Sequence, residues 1–351
     1  MGTLNAKFGK KLAKYGTFDF SACYNCGNCT AVCSLTDQEE SFPRNMVRYS
    51  VLGLEDEIKS SLKPWLCYYC GDCSAYCPQE AFPGELMMSL RRWLTSRYDW
   101  TRLAGLFYRS VIWNIIAFLL IAAGVITYAF HVNFSLEHVM HVGHLFEIVA
   151  IAAVFAIILM PNIVRMWWFT IAKSGEKIPV KAYLISLREL FLHMFTQKRT
   201  LDCEKHTFRW LEHLILVIGY LTLLFTTVFL DWFSARNKIV IVFGYIVSGL
   251  VFIVTFHFVF NRIIKSKEVS RFSHHSDWFF VIWLFFMGIT AFVVRLYIDI
   301  NIIEDNLWLY LVHLIILVQW AVIIVPFGKW THFLYRSFAM YFKKVLTSAN
   351  Q

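Results

Sequence analysis

The chain has 351 residues, 58% of them hydrophobic and 18% aromatic, with a mean hydropathy of +0.54, which is too apolar for a soluble enzyme of this length. Its formal charge of +9 invites a nucleic-acid reading, but Lys and Arg cluster at the ends of apolar runs, as membrane insertion requires, so no nucleic-acid partner is expected. The totals conceal two regimes, a mixed polar region over residues 1–105 and recurrent long apolar runs from Val111 onward.

Met1 to Asp19 lacks an apolar core, so no cleavable signal peptide is expected and the amino end should stay in the cytoplasm. Eight cysteines then fall into two copies of one spacing, C-x2-C-x2-C-x3-C: Cys23, Cys26, Cys29, Cys33 and Cys67, Cys70, Cys73, Cys77, the second copy closing with Pro78. This is the bacterial ferredoxin pattern for two [4Fe–4S] clusters. A tight loop delivers three thiolates to one cubane and the fourth cysteine swings away to the other. Cys23, Cys26, Cys29 and Cys77 would thus hold one cluster, and Cys67, Cys70, Cys73 and Cys33 the second. Zinc prefers paired C-x2-C knuckles, and disulfides suit small secreted domains. The ninth cysteine, Cys203, lies alone in a polar loop and reads as a spectator.

Between the cysteine runs, apolar residues recur at three and four from Phe42 to Ile58, with Gly53 breaking the pattern into two short helices. A helical spacer points to an all-helical two-cluster domain rather than the compact β-rich kind. The stretch "SFPRNMVRYSVLGLEDEIKSSLKPWLCYYCGDCSAYCPQE" resembles the C subunit of heterodisulfide reductase over about residues 15–100, through ligand spacing, the Pro-Arg helix start, Leu-Gly-Leu and Trp65. The first run departs from the pattern by ending Cys33-Ser34 instead of Cys-Pro. Pro83–Trp100 reads as an amphipathic helix, with Leu86, Met87, Leu90, Trp93 and Leu94 on one side and Arg91, Arg92 and Arg97 on another. Two compatible placements are open for it, along the membrane surface with Trp93 and Trp100 in the interfacial belt, and packed on the cysteine-rich domain.

Six runs are long enough to cross a hydrocarbon core: Val111–Phe130, His144–Phe169, Phe208–Leu230, Ile239–Phe260, Asp277–Ile298 and Leu307–Phe327. The connecting stretches Lys173–Lys205 and Arg262–Arg271, and the tail from Lys329, are rich in cations, while the alternate loops are poor in them. The positive-inside rule places both ends in the cytoplasm. The expected architecture is all-α. Residues 1–105 would form a cytoplasmic helical ferredoxin domain with two [4Fe–4S] clusters and an interfacial helix. Residues 106–351 would form a six-helix transmembrane cytochrome b bundle with a cytoplasmic tail, in the cytoplasmic membrane of a bacterium or archaeon.

Histidines within spans are costly and mark function. His213 lies inside the inner end of the third span, His257 near the inner end of the fourth, and His313 and His332 near opposite ends of the sixth. Along a helix His313 and His332 are about 28 Å apart, too far for one iron but suited to two b haems stacked across the bilayer, each taking one imidazole from each of two helices. "FRWLEHLILVIGY" and "LVHLIILVQWAVIIVPFGKWTHFLYR" resemble the gamma subunit of respiratory nitrate reductase and the membrane cytochrome b of heterodisulfide reductase. The resemblance implies His213 and His332 as the inner haem pair and His313 as one outer ligand. Leu223 stands where that family's second outer ligand falls. Depth suggests His144 as the replacement, and His257 as a competitor of His213; one haem or two remain open. His131, His138, His141, His193, His206, His274 and His275 read as solvated. Glu147 and Arg295 are intramembrane charges, candidates for taking a quinol proton and for neutralising a haem propionate, against a plain snorkelling role.

The fusion of these two parts resembles the C subunits of quinone-interacting membrane-bound oxidoreductase complexes. That resemblance implies menaquinone as substrate, flavin-containing heterodisulfide-reductase-A-like subunits on the cytoplasmic side, and adenylylsulfate reductase as an indirect soluble partner. The expected function is electron transfer between the menaquinone pool and those flavin-containing proteins. A component of a heterodisulfide-reductase-like respiratory complex would share every motif. A non-enzymatic redox sensor is disfavoured by histidines at two membrane depths.

Overall fold

The computed structural model describes residues 4–36, 41–175, 177–198, 201, 207–228, 238–265 and 272–349. Among these residues the chain is helical, with one isolated antiparallel bridge between Leu4 and Leu54. Cys203 and His206, the cations Arg199, Lys205, Lys267 and Arg271, and the connection 231–237 lie outside the described residues.

The amino-terminal part carries α1 (Phe8–Ala13), α2 (Asn28–Ala31), α3 (Arg44–Leu52), α4 (Glu55–Ser60), α5 (Lys63–Leu66), α6 (Asp72–Ala75), α7 (Pro83–Tyr98) and α8 (Leu103–Arg109). Gly53 separates α3 from α4 as expected, at φ 69°, where the backbone of Asn5 fills the space a Cβ would need. The helix α7 starts on Pro83 with Glu85 in its first turn and ends with Arg97 in its last, each sign matched to the helix dipole. Leu86, Met87, Leu90, Trp93 and Leu94 on it are fully buried. Packing within the domain is observed for this helix, with Trp93 in the core, while Trp100 just beyond it stays 49% exposed. Its polar side is covered too: Arg91 is only 6% exposed, because the membrane part closes over it.

Among the described residues six helices are long and apolar enough to cross a membrane: Val111–His131, Leu136–Ser174, Thr207–Thr226, Lys238–Ile263, His275–Asp299 and Glu304–Ala349. They are built from α9 (Val111–His131), α10 (Leu136–Ala153) running through a π-helical segment into α11 (Met160–Thr170), α12 (Val180–Thr196), α13 (Thr207–Val228), α14 (Lys238–Ile263), α15 (His275–Asp299), α16 (Leu307–Gln319), α17 (Val325–Phe327) and α18 (Thr331–Ala349), α12 being the one that does not span. Mid-bundle, Gln319 accepts from Trp283 Nε1 at 2.8 Å and donates to the Phe118 carbonyl at 2.9 Å, tying α16 to α15 and α9 where unpaired polar groups are costly.

Two boundaries differ from expectation. The second span begins at Leu136 rather than at His144, since Val139 packs into a core cluster at the far end of the bundle with Tyr310 and Val294. His144 therefore sits about two turns inside a helix, and His138 and His141 lie on exposed positions of its first turns. The residues beyond Phe327, expected as a tail, form a packed helix. A Cβ at Gly328 would lie 2.6 Å from the Ile324 carbonyl oxygen, so glycine permits the break there, and α18 then buries Tyr335, Ala339 and Val345 completely. It packs on α12 and on α5, which places the amino-terminal part, α12 and the carboxyl end together at one end of the bundle. One continuous apolar core joins them, with Trp65, Trp93, Tyr98 and Tyr335 all buried in it.

Candidate functional site

The two cysteine loops are conformational copies. Asn25 and Tyr69, each two residues after the first cysteine of its run, have φ of 65° and 56°, and Gly27 and Gly71, each just after the second, both have φ of 93°. Each glycine caps a short helix carrying the third cysteine, α2 with Cys29 and α6 with Cys73. Non-glycine residues held in the left-handed region are found where a loop is committed to a site. The turns aim backbone donors at sulfur: the amides of Asn25 and Tyr69 lie 3.4 Å from Cys23 Sγ and Cys67 Sγ, and that of Ala81 lies 3.4 Å from Cys77 Sγ.

The helices α2 and α6 touch, and the cysteines sort across the two runs. The charges acting on Cys29 are those of Cys23, Cys26 and Cys77, while those acting on Cys33 are Cys67 and Cys70. Cys73 feels Cys67, Cys70 and Cys33 ahead of Cys29. Burial pushes the Cys33 thiol up to about 11 and raises those of Cys29, Cys67 and Cys73 as well, so thiolates form here only when a cation holds them. A zinc ion would need its ligands gathered around one point; among the described residues no three His, Cys, Asp or Glu side chains converge that closely. Eight thiols in two facing loops, with amide donors at Cys23, Cys67 and Cys77, fit iron–sulfur cubanes.

Residues 22–82 match the family described as 4Fe-4S dicluster domain. This region is a dicluster domain. Its eight cysteines are the number that two [4Fe–4S] clusters require. The chain is 28% identical over 96 residues to an Archaeoglobus profundus protein named as like the C subunit of heterodisulfide reductase, covering 27% of this chain and 51% of that protein. It is 30% identical over 79 residues to the C subunit of the H(2):CoB-CoM heterodisulfide,ferredoxin reductase of Methanothermobacter thermautotrophicus, covering 22% of this chain and 43% of that protein. The same figures hold for the protein of that name from Methanothermobacter marburgensis. The chain thus spans about half the length of the curated relatives it matches or less. No solved structure matches it. The dicluster domain is related to the C subunit of heterodisulfide reductase, and a helical part with six candidate membrane spans follows it.

The dicluster domain is held to the bundle through the carbonyls of its second cysteine loop. Within the domain, Arg91 of α7 fixes that loop, donating from Nε to the α5 carbonyl of Pro64 at 2.6 Å and from Nη2 to Cys67 O. Arg336 of α18 reaches the Cys67 carbonyl at 3.5 Å, and Arg209 of α13 donates to Tyr69 O at 3.2 Å. A second anchor is ionic: Asp277 at the head of α15 pairs with Arg92 of α7 at 3.2 Å and with Lys329 at 2.7 Å. Burial lowers the Arg91 guanidinium to about 9, with the Cys67 charge opposing, so it remains a cation beside the ligand loop at neutral pH.

Between this loop and the spans lies a cavity of about 380 Å³, whose walls include Cys70, Trp65, His213, His332, Tyr220 and Arg336. His213 and His332, expected as a pair, do share this space, on α13 and α18. One turn beyond His332, Arg336 lines the same space with Nε and Nη2 buried and without a hydrogen-bond partner among the described residues. Two imidazoles, aromatic walls and an unsatisfied cation suit a haem with carboxylate side chains. One contact runs the other way. Arg91 Nη1 is 3.5 Å from His332 Nδ1, so with Arg91 as donor the ring proton sits on Nε2, and a metal bound through Nε2 requires that long contact to break.

At the other end, His313 Nδ1 is 2.8 Å from Thr290 Oγ1 on α15. His144 has Nε2 buried without a hydrogen-bond partner among the described residues and Nδ1 4.0 Å from Glu147. Their helices meet beside them, where a Cβ at Gly143 would lie 3.0 Å from Tyr310 Oη and 3.3 Å from Leu314. His257, the suggested competitor of His213, is engaged at both ring nitrogens, by the Glu212 carboxylate and by Asn261 at 2.7 Å, and does not line the cavity. Arg295 is committed to Asp299 at 2.7 Å, and Tyr245 donates to that same carboxylate at 2.6 Å; the propionate role expected for Arg295 would have to displace this pair. Glu147 keeps only 13% of its side chain exposed.

His193, expected in solvent, is instead 2% exposed and lines the cavity. Its signal was its position on one stripe of α12 with Ala182, Ser186 and Leu190. His274 and His275 are half-buried junction residues: His274 caps α15 by accepting from the Ser276 amide, and His275 bonds the Phe107 carbonyl at 3.1 Å. His131 is exposed, as expected of the outer loop.

Proposed function

We propose that this chain is the membrane-anchoring electron-transfer component of a quinone-dependent oxidoreductase, linking the menaquinone pool to cytoplasmic flavin and iron–sulfur subunits. The observation that carries the reading is that Cys70, a thiol of the second cysteine run, lines the same cavity as His213 and His332. When bound, two [4Fe–4S] clusters and one or two b haems supply the one-electron carriers that join a two-electron quinone to a soluble partner. The ligands would be Cys23, Cys26, Cys29 and Cys77 for one cluster, Cys33, Cys67, Cys70 and Cys73 for the other, His213 with His332 for the inner haem, and His144 with His313 for an outer one.

The residues give this arrangement a direction in space. The Cys33, Cys67, Cys70, Cys73 set abuts the bundle, where Arg91, Arg209 and Arg336 fix its loop. The other set faces outward: Cys26 is exposed, and Tyr24 and Tyr76 beside it are 59% and 60% exposed. Cation-rich connections on this end support a cytoplasmic placement, so the outward set would meet the soluble, flavin-containing, heterodisulfide-reductase-A-like proteins, with adenylylsulfate reductase beyond them. The relatives named as heterodisulfide reductase C subunits favour a second reading, in which the catalytic partner reduces a disulfide. The two readings differ in the soluble acceptor and share the membrane half.

The test is anaerobic reduction of the purified, cofactor-loaded chain by a menaquinol analogue, followed by bleaching of the cluster absorption. Wild type should bleach and His213→Ala should not. Equal bleaching in both would overturn the proposed path.

A further inference from the structure

The helix α12 joins the second and third spans at the end of the bundle that carries the dicluster domain. One stripe of it, Ala182, Ser186, Leu190 and His193, is buried against the protein. The opposite stripe is apolar and open: Val180 is 72% exposed, Leu184 63%, Phe191 55% and Phe195 54%. Lys181 at its amino end and Arg188 midway along stand exposed on the same side.

Both ends of α12 are pinned to tryptophans at the ends of spans. Trp167 Nε1, near the end of α11, donates to Tyr183 Oη at 3.1 Å, and Trp210 Nε1, in the first turn of α13, donates to the Thr196 carbonyl at 2.9 Å. Tryptophan indoles concentrate at the membrane–water boundary, so two such anchors put the ends of α12 at one depth. A helix of this length, about 26 Å, then lies along the boundary instead of crossing it. Its open face continues the lipid-facing surface of its neighbours, through Val164 and Trp168 before it and Phe208 and Leu211 after it, all exposed.

We infer that the open face of α12 is a lipid contact, seated in the headgroup layer of an anionic leaflet. Apolar side chains enter the acyl boundary while Lys181 and Arg188 extend along it to lipid phosphates. Because the buried stripe of α12 packs on α18, and α18 on α5 of the dicluster domain, this contact also fixes the height of that domain above the membrane.

The test uses the full, cluster-loaded chain in vesicles, with a nitroxide at Leu184→Cys or Phe191→Cys in a Cys203→Ser background, and cluster absorption as the check on folding. Collisions with dissolved oxygen and with a water-soluble nickel chelate are compared with those of a label at Lys10→Cys. The expected result is a higher oxygen-to-nickel ratio at both α12 positions, larger in phosphatidylglycerol vesicles than in phosphatidylcholine, with the lipid difference lost in Lys181→Gln/Arg188→Gln. Free access of nickel would put the face in water and overturn the inference. Exclusion of both reagents would show it covered by a second copy of the chain and overturn it equally. A high ratio with no dependence on lipid charge would contradict the anionic contact.

Discussion

Thr290 Oγ1 stands 2.8 Å from His313 Nδ1 and 2.7 Å from the carbonyl oxygen of Phe286. The hydroxyl has one proton, and the Phe286 carbonyl can only accept. Thr290 therefore accepts from His313, which places the ring proton on Nδ1 and leaves Nε2 with its lone pair. That is the tautomer a haem ligand needs, and hydrogen bonds of this kind orient and tune metal-bound imidazoles. Thr290→Val should lower the occupancy or affinity of a His313-bound haem by about 10–100-fold and shift its midpoint potential, and Thr290→Ser should restore both. Haem quantitation and a redox titration read the result. An unchanged potential in the valine variant would deny Thr290 this role, whereas haem content unaffected by His313→Ala would deny the ligand itself.

The crossed pairing of cysteines makes a separate forecast. Cys33→Ser should disturb the cluster held with Cys67, Cys70 and Cys73, although Cys33 belongs to the first run. Iron should fall from about eight per chain toward four. The surviving paramagnetic signal should be the outward cluster, with weaker magnetic coupling to the haem. Loss of the outward signal instead would show that each run binds its own cluster.

Arg91 satisfies two carbonyls of α5, those of Pro64 and Trp65, and that of Cys67 at the start of the second loop. Arg91→Ala leaves them buried without this donor, at about 1–3 kcal/mol for each that finds no water. The second cluster should become labile to oxygen while the helical content of the bundle is retained. Cluster decay in air, followed optically, checks this.

His274 yields a pH dependence of definite sign. Burial lowers its imidazole from 6.5 to about 3, helped by the charges of Arg92, His275 and Lys329 and opposed by Asp277. The folded chain thus holds it neutral, as its cap on the Ser276 amide requires. Below pH 6.5 the unfolded chain binds a proton that the folded one refuses, so the stability it contributes is present above 6.5 and is lost progressively toward 3. At pH 5.5 the loss is about 1.4 kcal/mol. Thermal unfolding in detergent should show a smaller acid loss in His274→Asn, which caps without titrating in this range.

What the sequence disclosed and what it hid follow one physical line. The cysteine spacing was legible because a cubane imposes local geometry, and the six spans because bilayer thickness imposes length. That His213 and His332 share one space was legible only through the resemblance that paired them, since His332 lies beyond the apolar run of the sixth span. Arg91 was not, since on α7 alone it falls on the polar side; only the docking of a second layer turns that side inward. His193 was misjudged for the same reason, since it is buried only where α18 packs against one stripe of α12. Thr290 gave no signal, because its hydroxyl has meaning only opposite His313 on another helix.

The measurement that bears most directly on the account is a paired haem and iron assay on the detergent-purified chain, wild type beside His213→Ala and His332→Ala. Each variant should lose the same single b haem while about eight irons remain per chain. Wild-type haem content in both variants would contradict a shared site in the cavity that Cys70 lines.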